Sequence, residues 1–274
     1  MSDKDVAEVA RAWNYASNAS NASKKTVDAT GTDEIVAQLK RYMGAESSWA
    51  DHEVVKRHPS LRRELERKFR PKMPRSWKRN PTSWLSTHDI ERVMEQYDYK
   101  SDFKFLGVHP RNFTQKIFVN SCLAGKDVCE PRFEKFARDG VKSLGIVFNM
   151  DRHDQAGSHW VACFVSLDPG RKMYGAYYYD SIARPPPPEI ATWMLDVKAT
   201  FEKFMRFGRF DTHNNKTFEV AYNHERRQFR NSECGMFAMT FLETAMEYEG
   251  TFQELSREMG GDEDMIRLRR VLYR

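Results

Sequence analysis

A cysteine stands between an acid and a glycine at Glu233-Cys234-Gly235, and the apolar run Met236-Phe237-Ala238-Met239 follows at once. The pattern predicts a nucleophile that opens a helix. The helix N-terminus favours a thiolate, because its free N–H groups and macrodipole point at the sulfur. The glycine leaves room for a substrate backbone to come close. Six residues upstream, Gln228 offers a side-chain amide suited to an oxyanion hole. Farther back, His159 stands before Trp160 at the start of an apolar run, and Asp180 ends the run Tyr177-Tyr178-Tyr179. A cysteine nucleophile needs a base, an orienter for that base and donors for the tetrahedral oxyanion. Cys234, His159, Asp180 and Gln228, with the backbone N–H of Cys234, supply that set.

Other assignments stay open beside this one. Cys163 alternates with Val161 and Val165 inside an apolar run and reads as a buried, inert thiol. The rival histidines are His153, which adjoins Asp154, together with His213 and His224 in polar stretches. Ser181 and Asp151 are the alternative orienters. Neither a CxxC pair nor a His/Cys cluster with zinc spacing occurs, so neither metal nor cofactor is expected. Cys122 and Cys129 are expected to be free thiols in a reducing, intracellular compartment, because no secretory signal is apparent.

The elements around these residues read as α+β, a small mixed sheet flanked by helices. Strands are expected over Phe103–Val108, Lys116–Val119, Leu144–Met150, Trp160–Leu167, Met173–Tyr179 and Phe218–Tyr222. The turn signal Asp168-Pro169-Gly170-Arg171 makes the fourth and fifth of these a hairpin. Its antiparallel strands then bring His159 and Asp180 to one end. Four consecutive prolines, Pro185 to Pro188, stop the sheet and lead into a long amphipathic helix carrying Ile190, Trp193, Met194, Val197 and Phe201. The nucleophile's helix runs to about Tyr248. Asp262-Glu263-Asp264 caps a last one, which makes Gly260-Gly261 a loop before a helix rather than a self-cleavage site.

Two regions are expected: a helical, basic arm over 1–80, with about its first 30 residues flexible apart from a weak helix near Val6–Tyr15, and a core over 81–274. A hydrophobic fraction of 40% in 274 residues excludes a disordered chain, and no apolar run is long enough to span a bilayer. The net charge of +5 is unevenly spread. Lys and Arg crowd residues 56–79, with Trp77 among them. The plain reading is a solvated helix face and linker. The sharper one is a phosphate-binding surface for nucleic acid, with Trp77 as a base-stacking platform.

The set His159-Trp160, Asp180, Gln228 and Cys234-Gly235, in that order, resembles the ubiquitin-like-protein (SUMO) protease superfamily and its adenovirus relatives. Trp84-Leu85-Ser86 with Ile90 resembles that superfamily's first helix, so the likeness covers roughly 84–245. Further segments are similar to the polyprotein-processing branch found in African swine fever virus and related large DNA viruses. They include Leu144 to Asn149, Asp180-Ser181 before the prolines, Arg226-Arg227-Gln228 and Asp262-Glu263-Asp264-Met265. The resemblance implies a thiol endopeptidase that cleaves structural polyproteins after Gly-Gly during virion maturation, in host cytoplasm and virion. It also implies substrate contacts at Trp160 and Asn149. The alternatives are an isopeptidase acting on ubiquitin-like modifiers and a nucleic-acid-binding virion protein with a relic protease fold.

Overall fold

A computed structural model describes residues 1–19, 26–100, 102–118, 121–207 and 216–274. His213 and the end of the strand expected at Lys116–Val119 lie outside the described residues. The chain divides into two compact units, Met1–Lys72 and Met73–Arg274.

The first unit is helical. Helix α1 (Asp3–Ala19) is longer than the weak helix expected near 6–15, and it is packed rather than flexible: Val6, Val9 and Trp13 are buried. They meet Leu39 and Met43 of α2 (Thr32–Met43), Val54 of α3 (Glu53–Lys56) and Leu61 and Leu65 of α4 (Pro59–Lys68). The spacing of these apolar residues fits one face of each helix. Asp5, buried, is ion-paired with Lys68. Lys72 pairs with Asp51, Lys56 with Glu53 and Arg62 with Glu66, so part of the basic stretch is already matched by acids.

Residues 73–80, expected to belong with the arm, pack within the second unit. Trp77 is 4% exposed, edge-on to Tyr273, with the Arg269 guanidinium 4.7 Å from its ring centroid. The stacking platform expected at Trp77 is therefore corrected: burial by a partner almost 200 residues away removes its faces from solvent.

After α5 (Thr87–Met94) come β1 (Phe103–Pro110), the small antiparallel pair β2 (Lys116–Phe118) and β3 (Ser121–Cys122), then α6 (Lys126–Cys129) and α7 (Phe133–Arg138). Strands β4 (Ser143–Asn149), β5 (Trp160–Ser166) and β6 (Gly175–Tyr179) precede α8 (Pro188–Phe207) and β7 (Glu219–Tyr222). The chain closes with α9 (Cys234–Glu247), α10 (Phe252–Glu258) and α11 (Asp262–Leu272). One mixed five-stranded sheet runs β1-β4-β5-β6-β7. Its inner neighbours are antiparallel, and both edge strands pair parallel to their neighbours. The architecture is α+β.

Side-chain alternation along β5 explains why the strand is apolar throughout. Trp160, Ala162 and Phe164 face the core made with α5, α9, α10 and α11, whereas Val161, Cys163 and Val165 face the core made with α7 and α8. A strand covered on both faces carries no polar row. Helix α11 is stapled to the segment before α5. The Arg269 Nη1 donates to the carbonyls of Pro81 (2.9 Å) and Ser83 (2.7 Å), and the Tyr273 hydroxyl donates to that of Asp89 (3.0 Å).

The thiols differ from expectation at one place. Cys122 and Cys129, expected to be free, are joined in a disulfide. Helix α6 folds straight back over β3, which brings their Cα atoms to 6.6 Å, within bridging reach.

Candidate active site

Residue types at the sheet's end decide where this site forms. In β5 and β6, Ala162 stands opposite Tyr179, so the start of one strand adjoins the end of the other. His159, just before β5, and Asp180, just after β6, meet there. The His159 Nε2 donates to the Asp180 Oδ1 at 2.6 Å. The ring is also hydrogen-bonded to the side chain of Cys234, the first residue of α9. Burial pulls the imidazole pKa down, but its hydrogen bonds to Asp180 and Cys234 and their charges outweigh burial and raise it to about 9. At neutral pH the ring is therefore an imidazolium.

Asp180 is fully buried, and its charge is met by more than the histidine. It accepts from the backbone N–H of Ile182 (3.0 Å) and of Arg184 (3.3 Å). Asn223, just past β7, brackets the Asp180 backbone, its side chain accepting from the Asp180 N–H and donating to its carbonyl, both at 2.8 Å. The tight turn places Ala183 at φ 60°, a left-handed conformation that costs a non-glycine residue about 1 kcal/mol. That strain sits where the carboxylate must be aimed.

Gln228 is buried. Its Oε1 accepts from the Ser181 hydroxyl (2.6 Å), which fixes the amide's orientation, and its Nε2 donates to the Arg230 carbonyl (2.7 Å). One N–H of that nitrogen is left for another acceptor. The backbone N–H groups of Arg227 and Gln228 both reach the Ser181 carbonyl, at 2.8 and 2.9 Å. Ser181, an alternative orienter on sequence, thus holds the glutamine and not the histidine.

Trp160 donates its indole N–H to the Leu85 carbonyl at 2.9 Å. Beside them lies Gly235. A Cβ there would come within 3.0 Å of Leu85 and 3.2 Å of Trp160, so the residue after the cysteine is pressed against that wall. An open cleft of about 650 Å³ extends from it, lined by Leu85, Trp160, Asn149, Ser158, His109 and His153, among others. Asn149 turns inward, accepting from the Asp151 N–H at 3.0 Å, and Gly157 at φ +89° lies against its amide.

The structure brings His159, Asp180 and Cys234 together, ties Gln228 to Ser181 beside Asp180, and sets Trp160 and Asn149 along the adjoining cleft. It does not bring in Asp151, or His153, which bonds Asn112 at 2.8 Å. Cys163 is fully buried in β5, where burial pushes its thiol far up. Sequence reading gave Asn223 no role, and Leu85 only a place in the helix at Trp84-Leu85-Ser86. A polar residue ending a strand beside Asp180 was the available signal for the first. A main-chain acceptor such as the Leu85 carbonyl leaves no residue-type signal.

Residues 137–273 match the profile of the Ulp1 protease family, C-terminal catalytic domain, which is half of the chain. The chain belongs to the Ulp1 protease family. Family membership makes it a cysteine protease, and the relatives it resembles are viral. A putative thiol protease of Acanthamoeba polyphaga mimivirus is 33% identical over 162 residues, which is 59% of this chain but only 47% of that protein's length. The SUMO-1 cysteine protease of African swine fever virus is 27% identical over 261 residues, 86% of each chain. Among solved structures, the crystal structure of the African swine fever virus protease covers 93% of both chains with a TM-score of 0.63 at 20% identity, a likeness of fold.

Proposed function

We propose that this chain is a viral cysteine endopeptidase that cleaves structural polyproteins after Gly-Gly. Cys234 attacks the scissile carbonyl, and the His159 imidazolium gives its proton to the leaving amine. Asp180 orients the imidazole, and the Gln228 amide with the Cys234 backbone N–H holds the oxyanion. The arrangement that carries this reading is the single histidine bonded both to a buried carboxylate and to a thiol at a helix start. Preference for glycine is carried over from the family resemblance; Leu85 and Trp160, which hem in Gly235, line the cleft where it would be exercised. The chain's own Gly260-Gly261 is unsuited as a substrate, because its Gly261 N–H is engaged by Asp264 at 2.9 Å in the cap of α11.

A second reading, an isopeptidase on ubiquitin-like modifiers, is favoured by the name of the viral relative, a SUMO-1 cysteine protease. Turnover of a fluorogenic Gly-Gly-Xaa peptide, measured beside a folded ubiquitin-like protein with a fluorogenic tail, separates the two. Rapid turnover of the modifier with none of the peptide would reject polyprotein processing. Nucleic acid remains a candidate partner through stretch 56–79, where Arg57, Arg63, Arg75 and Arg79 are exposed. Its binding to DNA should weaken steeply as salt rises. Host cytoplasm and virion are the compartments this reading implies.

A further inference from the structure

The acidic run Asp262-Glu263-Asp264 reads on sequence as a helix cap, yet the structure divides its labour. Asp264 makes the cap, accepting from the Gly261 N–H. Asp262 instead reaches across to the glutamine's loop. Its Oδ2 accepts from the backbone N–H of Phe229 (2.9 Å) and of Arg230 (3.1 Å), while Oδ1 is buried without a hydrogen-bond partner among the described residues. The same Arg230 uses its carbonyl to hold the Gln228 Nε2. Before Phe229 the loop is held by the Arg227 and Gln228 N–H bonds to Ser181 and by the Arg226 Nε, which donates to the Gln228 carbonyl at 2.6 Å; beyond it the side-chain contacts are exposed. Phe229 is 70% exposed, with the Arg226 guanidinium against its ring, and the Arg230–Glu263 ion pair is exposed on both sides, where such pairs add little. One end of the Gln228 amide is thus fixed by Ser181, and the other by the carbonyl of Arg230, the residue whose N–H Asp262 holds.

We propose that Asp262 is a positioning residue of the oxyanion hole, acting on the Gln228 amide through the Arg230 backbone. The inference rests on the reading of Gln228 as an oxyanion donor. A plain helix-capping role would change stability and leave the chemical step alone. A positioning role changes the step in which the oxyanion forms.

The full chain is assayed in three ways: kcat and KM on a fluorogenic Gly-Gly amide, the rate at which iodoacetamide alkylates Cys234, and thermal unfolding. Alkylation by direct displacement needs the thiolate and imidazolium but no oxyanion hole. Removing one oxyanion donor costs about 10²–10³ in kcat, so misplacing one in Asp262→Ala should cost about 10- to 100-fold. KM and the alkylation rate should stay within about threefold of wild type, since neither reports the lost transition-state contact. Asp262→Asn, which keeps an acceptor oxygen, should recover most of kcat, and Glu263→Gln should change nothing. In a Gln228→Ala background, Asp262→Ala should add almost no further loss, because coupled residues are non-additive. Should Asp262→Ala not fold, Asp262→Ser is carried through the same assays. A wild-type kcat in Asp262→Ala, alkylation that falls in step with hydrolysis, or full additivity with Gln228→Ala would overturn the inference. Undiminished hydrolysis by Gln228→Ala would overturn the oxyanion reading and this inference together. A slow Gln228→Ala beside a fast Asp262→Ala would sink this inference alone.

Discussion

The middle of β5 and the first turn of α9 each bury a free cysteine, Cys163 and Cys234, at 0% and 3% exposure. Both lie among apolar side chains. Around Cys163 the packing is apolar, and burial drives its thiol away from ionisation. Around Cys234 stand a helix N-terminus and the ring of His159, itself held by Asp180. Burial therefore does not decide which thiol reacts. What decides it is where the backbone leaves regular structure, because only there do strand ends and a helix start bring polar partners to the sulfur.

Substitution tests that contrast most severely. Cys234→Ala should lower peptide hydrolysis by about 10⁴-fold or more, the scale for losing a nucleophile that acts as part of a unit. Cys163→Ala should keep kcat/KM within about twofold and cost only about 1 kcal/mol of stability by denaturant unfolding, the scale of one buried methyl group. An active Cys234→Ala would dissolve the distinction between the two regions. Asp180→Ala comes next, with an expected loss of about 10³-fold in kcat, since the histidine loses its orienter. Gly235→Ala should follow at roughly 10- to 100-fold, because the new methyl group must displace Leu85 or Trp160 or shift the cysteine, and small misplacements are costly. The same crowding should lower stability by about 1–3 kcal/mol in denaturant unfolding, the range for one methyl group forced into a packed core.

Titration gives a smaller and graded effect. The folded-state pKa of His159 is raised from 6.5 to about 9, so its contribution to stability is complete below pH 6.5 and fades as pH rises toward 9. Hydrolysis should accordingly fall above about pH 9, as the proton destined for the leaving amine is lost. A profile that falls instead through about pH 6–7 would mean that the imidazole lacks these partners. Smallest of all is a mass count: denaturing alkylation without reductant should label Cys163 and Cys234 and leave Cys122 and Cys129 unlabelled.

Much of the site was legible because its residues sit at element boundaries, and boundaries leave marks on a sequence. A histidine before an apolar run, an acid at the end of another and a cysteine before a third placed strand ends and a helix start correctly. The hairpin turn then required two of them to meet. Less legible were features made by partners far along the chain. Trp77 among lysines and arginines reads as solvent-facing, and only Tyr273 and Arg269 make it core. The Cys122–Cys129 pair depends on how α6 folds back on β3, which neither spacing nor periodicity encodes. Helix α10 was missed although Thr251 and Glu254 form a capping box, a signal present in the sequence but outweighed by the helix's brevity.

The staple between α11 and the segment before α5 also sets a clock. Leu85, the wall against which Trp160 and Gly235 rest, lies in a stretch whose neighbours Pro81, Ser83 and Asp89 are tied to the end of the chain by Arg269 and Tyr273. Arg269 leaves the ribosome 188 residues after Pro81, which at roughly 5–20 residues per second is a delay of about 10–40 s. Cys234 follows His159 into the chain 35 residues before Arg269, so for the last roughly 2–7 s of that delay both are present while the wall beside them lacks this anchor. In an order of assembly that follows synthesis, the wall of the cleft is the part of the site whose support arrives last.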